Sequence, residues 1–277
     1  MNPDPFLYLR WTLLIAAAGA SLVDLELLTL SQEIRTGLLS YGFFGHVRIA
    51  YTSRQHLVIL NLKKKDYPIT LTAISGQLLS SILIAVSAFR GEASLLGLWV
   101  FVACGLLLRG RGGLGNSGAD EMILLIMIAG MLAREFNTAH CALIVLMFLS
   151  AQLSLSYLTS GLVKVGELHW RDGTSLINIM GTETFGNRSL HAALRSSPRC
   201  ASFLSCILVF GELFGSLAPW LPRPYAVSLL SCSLVFHLVT AAVMGLNTFV
   251  PAFVATYPAA FYTSQMLYAH RGWHISG

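Results

Sequence analysis

The sequence predicts an all-α fold, a polytopic integral membrane helical bundle of about eight transmembrane helices. An interfacial helix is expected in its first long loop. Three observations lead there. Of 277 residues, 55% are hydrophobic and 11% charged, and mean hydropathy is +0.67, whereas a soluble domain carries about 25% charged residues. So few charges cannot cover a soluble surface of this size. Apolar runs long enough to enter a bilayer recur along the chain, and the basic residues fall between them in alternation. The same composition excludes a disordered chain, and no repeat suggests a fibre.

The first span is expected over residues 6–30, with Asp24 and Glu26 near its far end. These carboxylates read either as a helix end reaching headgroups or as a pair lining a site. The N-terminus carries Asp4 in place of a basic region, so a cleavable signal peptide is not expected. A long basic loop follows over 31–68. Within it, residues 38–49 mix apolar and aromatic side chains with His46 and Arg48, which suits a helix lying on the membrane. Further spans are expected over 69–89, 93–108, 122–136, 139–163, 201–221, 226–246 and 249–267, the last kinked at Pro251 and Pro258. A second long loop covers 164–200. The whole of 1–277 reads as one transmembrane domain.

Charge placement supports this layout. Arg35, Arg48, Arg54 and Lys63–Lys65 lie in the first connection, Arg109 and Arg111 after the third span, and Arg171, Arg188, Arg195 and Arg199 after the fifth. The alternate connections hold Arg90, Arg134 and Arg223. That is the positive-inside pattern of a multi-pass cell-membrane protein with an extracytoplasmic N-terminus. The net charge of +5 therefore sets topology. No compact basic patch with interleaved aromatics points to nucleic acid. The five cysteines read as small buried hydrophobes, and the eight histidines show no metal-ligand spacing.

Chemistry concentrates in a few places. Residues 109–121, R-G-R-G-G-L-G-N-S-G-A-D-E, form either a generic anion loop or a plain interhelical turn. Residues 157–173 place small residues Thr159, Ser160 and Gly161 one turn before Lys164, with Glu167, His169, Trp170 and Asp172 following. Lys164 either snorkels to headgroups or serves as an intramembrane base. Glu212 and His237 lie in separate apolar runs, where such groups face a partner or a shared polar cavity. Asn247 marks a Gly-Leu-Asn break near the last span.

Tyr157, Ser160, Gly161, Lys164, Trp170 and Gly173 together resemble the HTTM domain, the membrane domain shared by vitamin K-dependent γ-carboxylase and many bacterial proteins. His237, Gly245, Leu246 and Phe249 resemble a later motif of that family, and Asn116, Gly118 and Asp120 its glycine-rich turn. The resemblance implies that Lys164 acts as base, with a reduced quinone as possible cofactor. Tyr157, Trp170, Asp120, Asn116 and Asn247 become substrate-binding candidates beside catalytic Lys164, His237 and Glu212. The carboxylase's lumenal domain and propeptide-binding region have no counterpart in this sequence, which favours a quinol- or lipid-like substrate over peptide γ-carboxylation. The carboxylase lysine faces the lumen, whereas the charge pattern puts Lys164 on the cytoplasmic side.

Three functions follow as expectations. The first is a membrane-embedded enzyme using a lysine base on a lipophilic or peptide substrate. The second is a non-catalytic maturation, export or immunity partner of a small secreted peptide, as with the sporulation-delaying-protein maturation factor. The third is a proton-coupled carrier using Glu212 and His237.

Overall fold

The structure is a computed structural model and describes residues 3–30, 66–111 and 117–268. Among these residues the regular structure is all helical, without strands. Every apolar run within them is helical: α1 (Pro5–Thr29), α2 (Asp66–Arg90), α3 (Leu95–Arg111), α4 (Gly118–Phe136) and α5 (Ala139–Gly166). Three short helices follow, α6 (Leu168–Arg171), α7 (Thr174–Met180) and α8 (Arg188–Ser196). Then come α9 (Pro198–Gly215), a 3₁₀ turn (Ala218–Trp220), α10 (Arg223–Met244), α11 (Phe249–Val254) and α12 (Tyr257–Tyr268).

Five of these are long and apolar enough to cross a membrane: α1, α2, α5, α9 with its 3₁₀ extension, and α10. By length and composition the chain is a helical membrane protein. Helix α3 has 17 residues, about 26 Å at 1.5 Å per residue. Helix α4 carries Asp120, Glu121, Arg134 and Glu135 within 19 residues. The last apolar run is divided between α11 and α12 at Ala255–Thr256. The interfacial helix expected over 38–49, with His46, Arg48 and Lys63–Lys65, lies outside the described residues.

The chain packs as two compact units, whose boundaries cut α1 after Leu9 and α5 after Cys141. In the unit formed by Arg10–Cys141, α2 packs on α3 and α3 on α4. Its fully buried side chains include Leu13, Ile74, Ile84, Leu98, Phe101, Ile126 and Met127. Close approach depends on small residues. A Cβ on Gly130 would overlap the Leu13 side chain, so α1 and α4 touch there. Ser21 and Ser81 share a 2.8 Å hydrogen bond between α1 and α2. Ser117 caps α4, and Asp120 returns the bond to the Ser117 backbone, closing a capping box. The Arg134 guanidinium binds Glu92 at 2.7 Å and the Ala93 carbonyl, fastening one end of α4 to the α2–α3 turn.

The other unit holds residues up to Leu9 and those from Ala142 onward. Here α9 packs on α10, and α10 on α11 and α12. The segment expected as a long loop, 164–200, is instead structured. Helix α5 runs on to Gly166, which places Lys164 inside it, and α6, α7 and α8 fold back as a cap. Helix α8 turns Leu190 and Leu194 inward and leaves Arg188 and Arg195 exposed. Leu176, Met180, Leu194 and Ala201 form the cap's core, with Val243 and Met244 at the end of α10 packed against it. These apolar residues escaped the sequence reading because the cap's helices are too short to carry a legible period.

The cap pivots on Gly173. Its φ is +82°, and a Cβ there would lie 2.5 Å from the Ala201 carbonyl carbon. Beside it the Thr174 N–H donates to Asp172 at 2.9 Å, which holds that exposed carboxyl below its ordinary range. Ser202 and Ser205 donate to the Arg171 and Trp170 carbonyls and tie the turn to α9.

The outer helix surfaces are strongly apolar: Leu22 and Leu79 are 68% exposed and Phe89 76%. Lipid hydrocarbon is the medium that would cover them. The cysteines correct one expectation. Cys200 and Cys232 are exposed and the other three half-buried, because a lipid-facing position accepts a small apolar residue as readily as a core position does.

Gly173→Ala is expected to lower stability by at least about 1 kcal/mol, since it meets both backbone strain and overlap. Gly211→Ala, at a helical glycine with open space around it, is expected to leave stability unchanged or raise it. Thermal melting in detergent, compared between the two variants, checks this.

Candidate functional site

Helix α5 carries polar side chains at Ser150, Ser154, Tyr157, Ser160 and Lys164, steps of three or four residues that keep them on one face. Each rung meets a partner. Ser150 shares a 2.8 Å hydrogen bond with Thr263 of α12, and Trp220 Nε1 donates to Ser154 at 2.7 Å. Tyr157 meets His237 of α10, and Lys164 meets Glu212 of α9.

The approach of α5 to α9 is set by glycines. A Cβ on Gly161 would lie 2.7 Å from Leu213 Cδ2, and one on Gly215 would lie 3.6 Å from the Tyr157 ring. Gly161 faces Leu213 and Tyr157 faces Gly215, so the two helices run antiparallel. Lys164 Nζ consequently sits 2.8 Å from Glu212 Oε1 and 2.6 Å from Oε2, and donates to Ser160 Oγ at 2.6 Å. The paired side chains are 18% and 9% exposed. Glu212 lies about 21 Å along α9 from its start at Pro198. A carboxylate or ammonium alone at that depth costs several kcal/mol, whereas the pair compensates both charges.

Trp170 closes the lysine from the cap side. Its ring centroid is 5.3 Å from Lys164 Nζ, within cation–π range. The hydroxyl of Ser205, donating to the Trp170 carbonyl, fixes that position.

His237 lies about 21 Å into α10 and is 2% exposed. Its Nε2 is 2.8 Å from the Tyr157 hydroxyl, while Nδ1 is buried without a hydrogen-bond partner. The imidazole stacks on Phe253, with ring centroids 4.4 Å apart. Ser233 and Tyr257 lie beside the Tyr157 hydroxyl, and Glu212 acts on it electrostatically. Tyrosine can donate or accept, and imidazole can do both at its two nitrogens. The site thus holds two hydrogen-bonded pairs, an amine with a carboxylate and a phenol with an imidazole, coupled electrostatically through Tyr157 and Glu212.

Of the residues singled out in the sequence, Lys164, Glu212, Tyr157, His237 and Trp170 come together in one unit. Asp120 belongs to the other unit and is engaged in the α4 capping box. Asn247 is exposed in the turn after α10, which Gly245 ends at φ +72°. Asn116 lies outside the described residues. Sequence reasoning missed Ser150, Ser154, Ser233, Tyr257 and Thr263. The signal was available: hydroxyls at helical spacing in line with Tyr157 and Lys164.

Comparison of the chain with protein-family models, with curated proteins and with solved structures returns no match. The fold and site define a helical membrane protein with a buried lysine–glutamate pair next to a tyrosine–histidine pair.

Removing one partner of a buried pair leaves the other charge uncompensated. Lys164→Met or Glu212→Leu is expected to cost about 3 kcal/mol, and the double variant Lys164→Met/Glu212→Leu less than the sum. A double-mutant cycle of melting in detergent measures the coupling.

Proposed function

We propose that the chain is a multi-pass cell-membrane protein of eight spans, and that its carboxyl-terminal unit is an intramembrane acid–base enzyme of the HTTM type acting on a lipophilic, quinol- or lipid-like substrate. The observation that carries this reading is the contact of Lys164 with both Glu212 oxygens, on the same helix that bonds His237 through Tyr157. The eight-span layout adds α3, α4 and the α11–α12 pair to the five long apolar helices.

Lys164 takes a proton from a substrate only once its own ammonium has given one up. Glu212, at 2.6 Å, is the acceptor for that proton. In a low-dielectric setting the ion pair and the neutral amine–acid pair are closer in energy than in water, so the exchange is accessible. Tyr157 and His237 then return or remove the proton. Residues 245–253 bring Phe249 and Phe253 alongside the imidazole, a stacked aromatic edge suited to an apolar ligand.

The unpaired Nδ1 of His237 fits a hydroxyl of a reduced quinone, which the resemblance to the carboxylase membrane domain brings with it. When bound, such a molecule supplies an acidic hydroxyl to the base. His237 would orient it, Phe253 would stack on it, and Trp170 would keep water from Lys164.

The test compares cells carrying the wild type with cells carrying Lys164→Met, His237→Phe or Glu212→Gln at matched membrane levels. Lipid and quinone extracts and secreted peptides are read by mass spectrometry. A product present with the wild type is expected to vanish with Lys164→Met and fall about 10²-fold or more with His237→Phe. An undiminished product in Lys164→Met overturns the enzyme. A small secreted peptide that co-purifies unaltered supports the maturation partner instead.

A second reading is favoured by the unpaired Nδ1 of His237 beside Tyr157. A proton-coupled carrier would use Glu212 and His237 as its relay, with Tyr157 bonded to the imidazole. Proton flux into proteoliposomes that is lost in His237→Phe supports it, and flux equal to empty liposomes removes it.

A further inference from the structure

The other unit holds an ionisable group that this chemistry does not use. Asp24 is 3% exposed, about 8 Å short of the end of α1. Its Oδ2 is buried without a hydrogen-bond partner. The contact of Leu13 with Gly130 sets α1 against α4, and a charge acting on Asp24 is a second carboxylate, Asp120, in the first turn of α4. Asp120 already spends one oxygen on Ser117. Cys104 of α3 is also within electrostatic reach of Asp24. Arg109 of α3 lies 3.8 Å from Glu121 through Nη1, its Nη2 is buried without a hydrogen-bond partner, and it is not among the charges that act on Asp24. Glu26, two residues on, is exposed and turned away. Tyr67 belongs to the apolar cluster of Leu27, Leu28, Ala73, Ile74 and Leu108.

We propose that Asp24 is a second intramembrane site, a proton-binding carboxyl that holds its proton between α1 and α4 independently of the Lys164–Glu212 pair. An ionised Asp24 would keep an oxygen buried with no donor and would face the negative charge of Asp120. A proton on the carboxyl removes both costs. Asp24 thereby differs in kind from Glu212, whose two oxygens are both held by an ammonium. The ligand is a proton, and a small monovalent cation is the competitor that the same carboxylates would admit.

Infrared spectroscopy of the full chain in lipid nanodiscs at neutral pH tests this. A protonated carboxyl gives a C=O stretch well separated from carboxylate bands. The band is expected in the wild type, to shift on carbon-13 labelling of aspartate, and to disappear in Asp24→Asn. Its persistence in Lys164→Met shows that it does not depend on the other site. Asp24→Glu, which is expected to move the band and make it insensitive to aspartate labelling, serves where Asp24→Asn does not fold. Absence of an aspartate-sensitive band in the wild type overturns the proposal. Loss of the band on adding sodium or potassium at constant pH also overturns it, in favour of a cation site.

Discussion

The ion pair of Lys164 and Glu212 is the constraint on which the carboxyl-terminal unit depends. Neither charge is tolerable alone at its depth, so α5 and α9 must lie antiparallel, in contact, and in one register. A shift of one residue along either helix would rotate its partner by about 100° and leave a bare charge in an apolar interior. Gly161 makes the approach possible, since a side chain there would collide with Leu213 on the opposite helix, while a Cβ on Gly215 would sit tightly, 3.2 Å from Ser233 Oγ. The pair therefore selects a single packing from the many that apolar helices of similar composition would permit.

Much of this was legible in the sequence, though unevenly. The apolar runs announced the helices, because span length and hydropathy are local properties. Lys164, Glu212 and His237 could be singled out one at a time, as charges or imidazoles in apolar surroundings. A shared pocket was expected for them, but which group pairs with which could not be read, since it depends on helix register and on which faces turn inward. In water, the alternation of polar and apolar residues reveals the inward face. In a bilayer both faces are apolar, and that signal fades. The exposed Cys200 and Cys232 illustrate the loss: a small sulfur-bearing side chain looks the same to lipid and to a core.

The second long connection shows a different limit. Residues 164–200 combine four arginines with scattered leucines, and this reads as a polar loop. The structure resolves the two classes onto opposite sides of α8, with Leu190 and Leu194 inward and the arginines outward. The cap exists because Gly173 allows a turn that no L-residue with a side chain could make against α9. It carries Trp170 to the lysine, so a backbone detail in a connection determines the surroundings of a buried charge.

Polar atoms inside a membrane protein serve either as adhesive between helices or as working groups, and satisfaction separates the two. The Ser150–Thr263 and Ser154–Trp220 rungs are closed: each hydroxyl finds a partner within about 3 Å, as interhelical adhesive should. Lys164 and Glu212 are closed as well, each by the other. His237 is different. Adhesion needs only the bond from Nε2 to Tyr157, and a phenylalanine stacked on Phe253 would fill the same space. An imidazole there leaves Nδ1 buried and unpaired, a cost that packing does not repay. The Tyr257 hydroxyl, by contrast, has the Tyr157 hydroxyl beside it. One unpaired polar atom beside that phenol, in a unit whose other rungs are satisfied, sets His237 apart from the groups that only hold helices together.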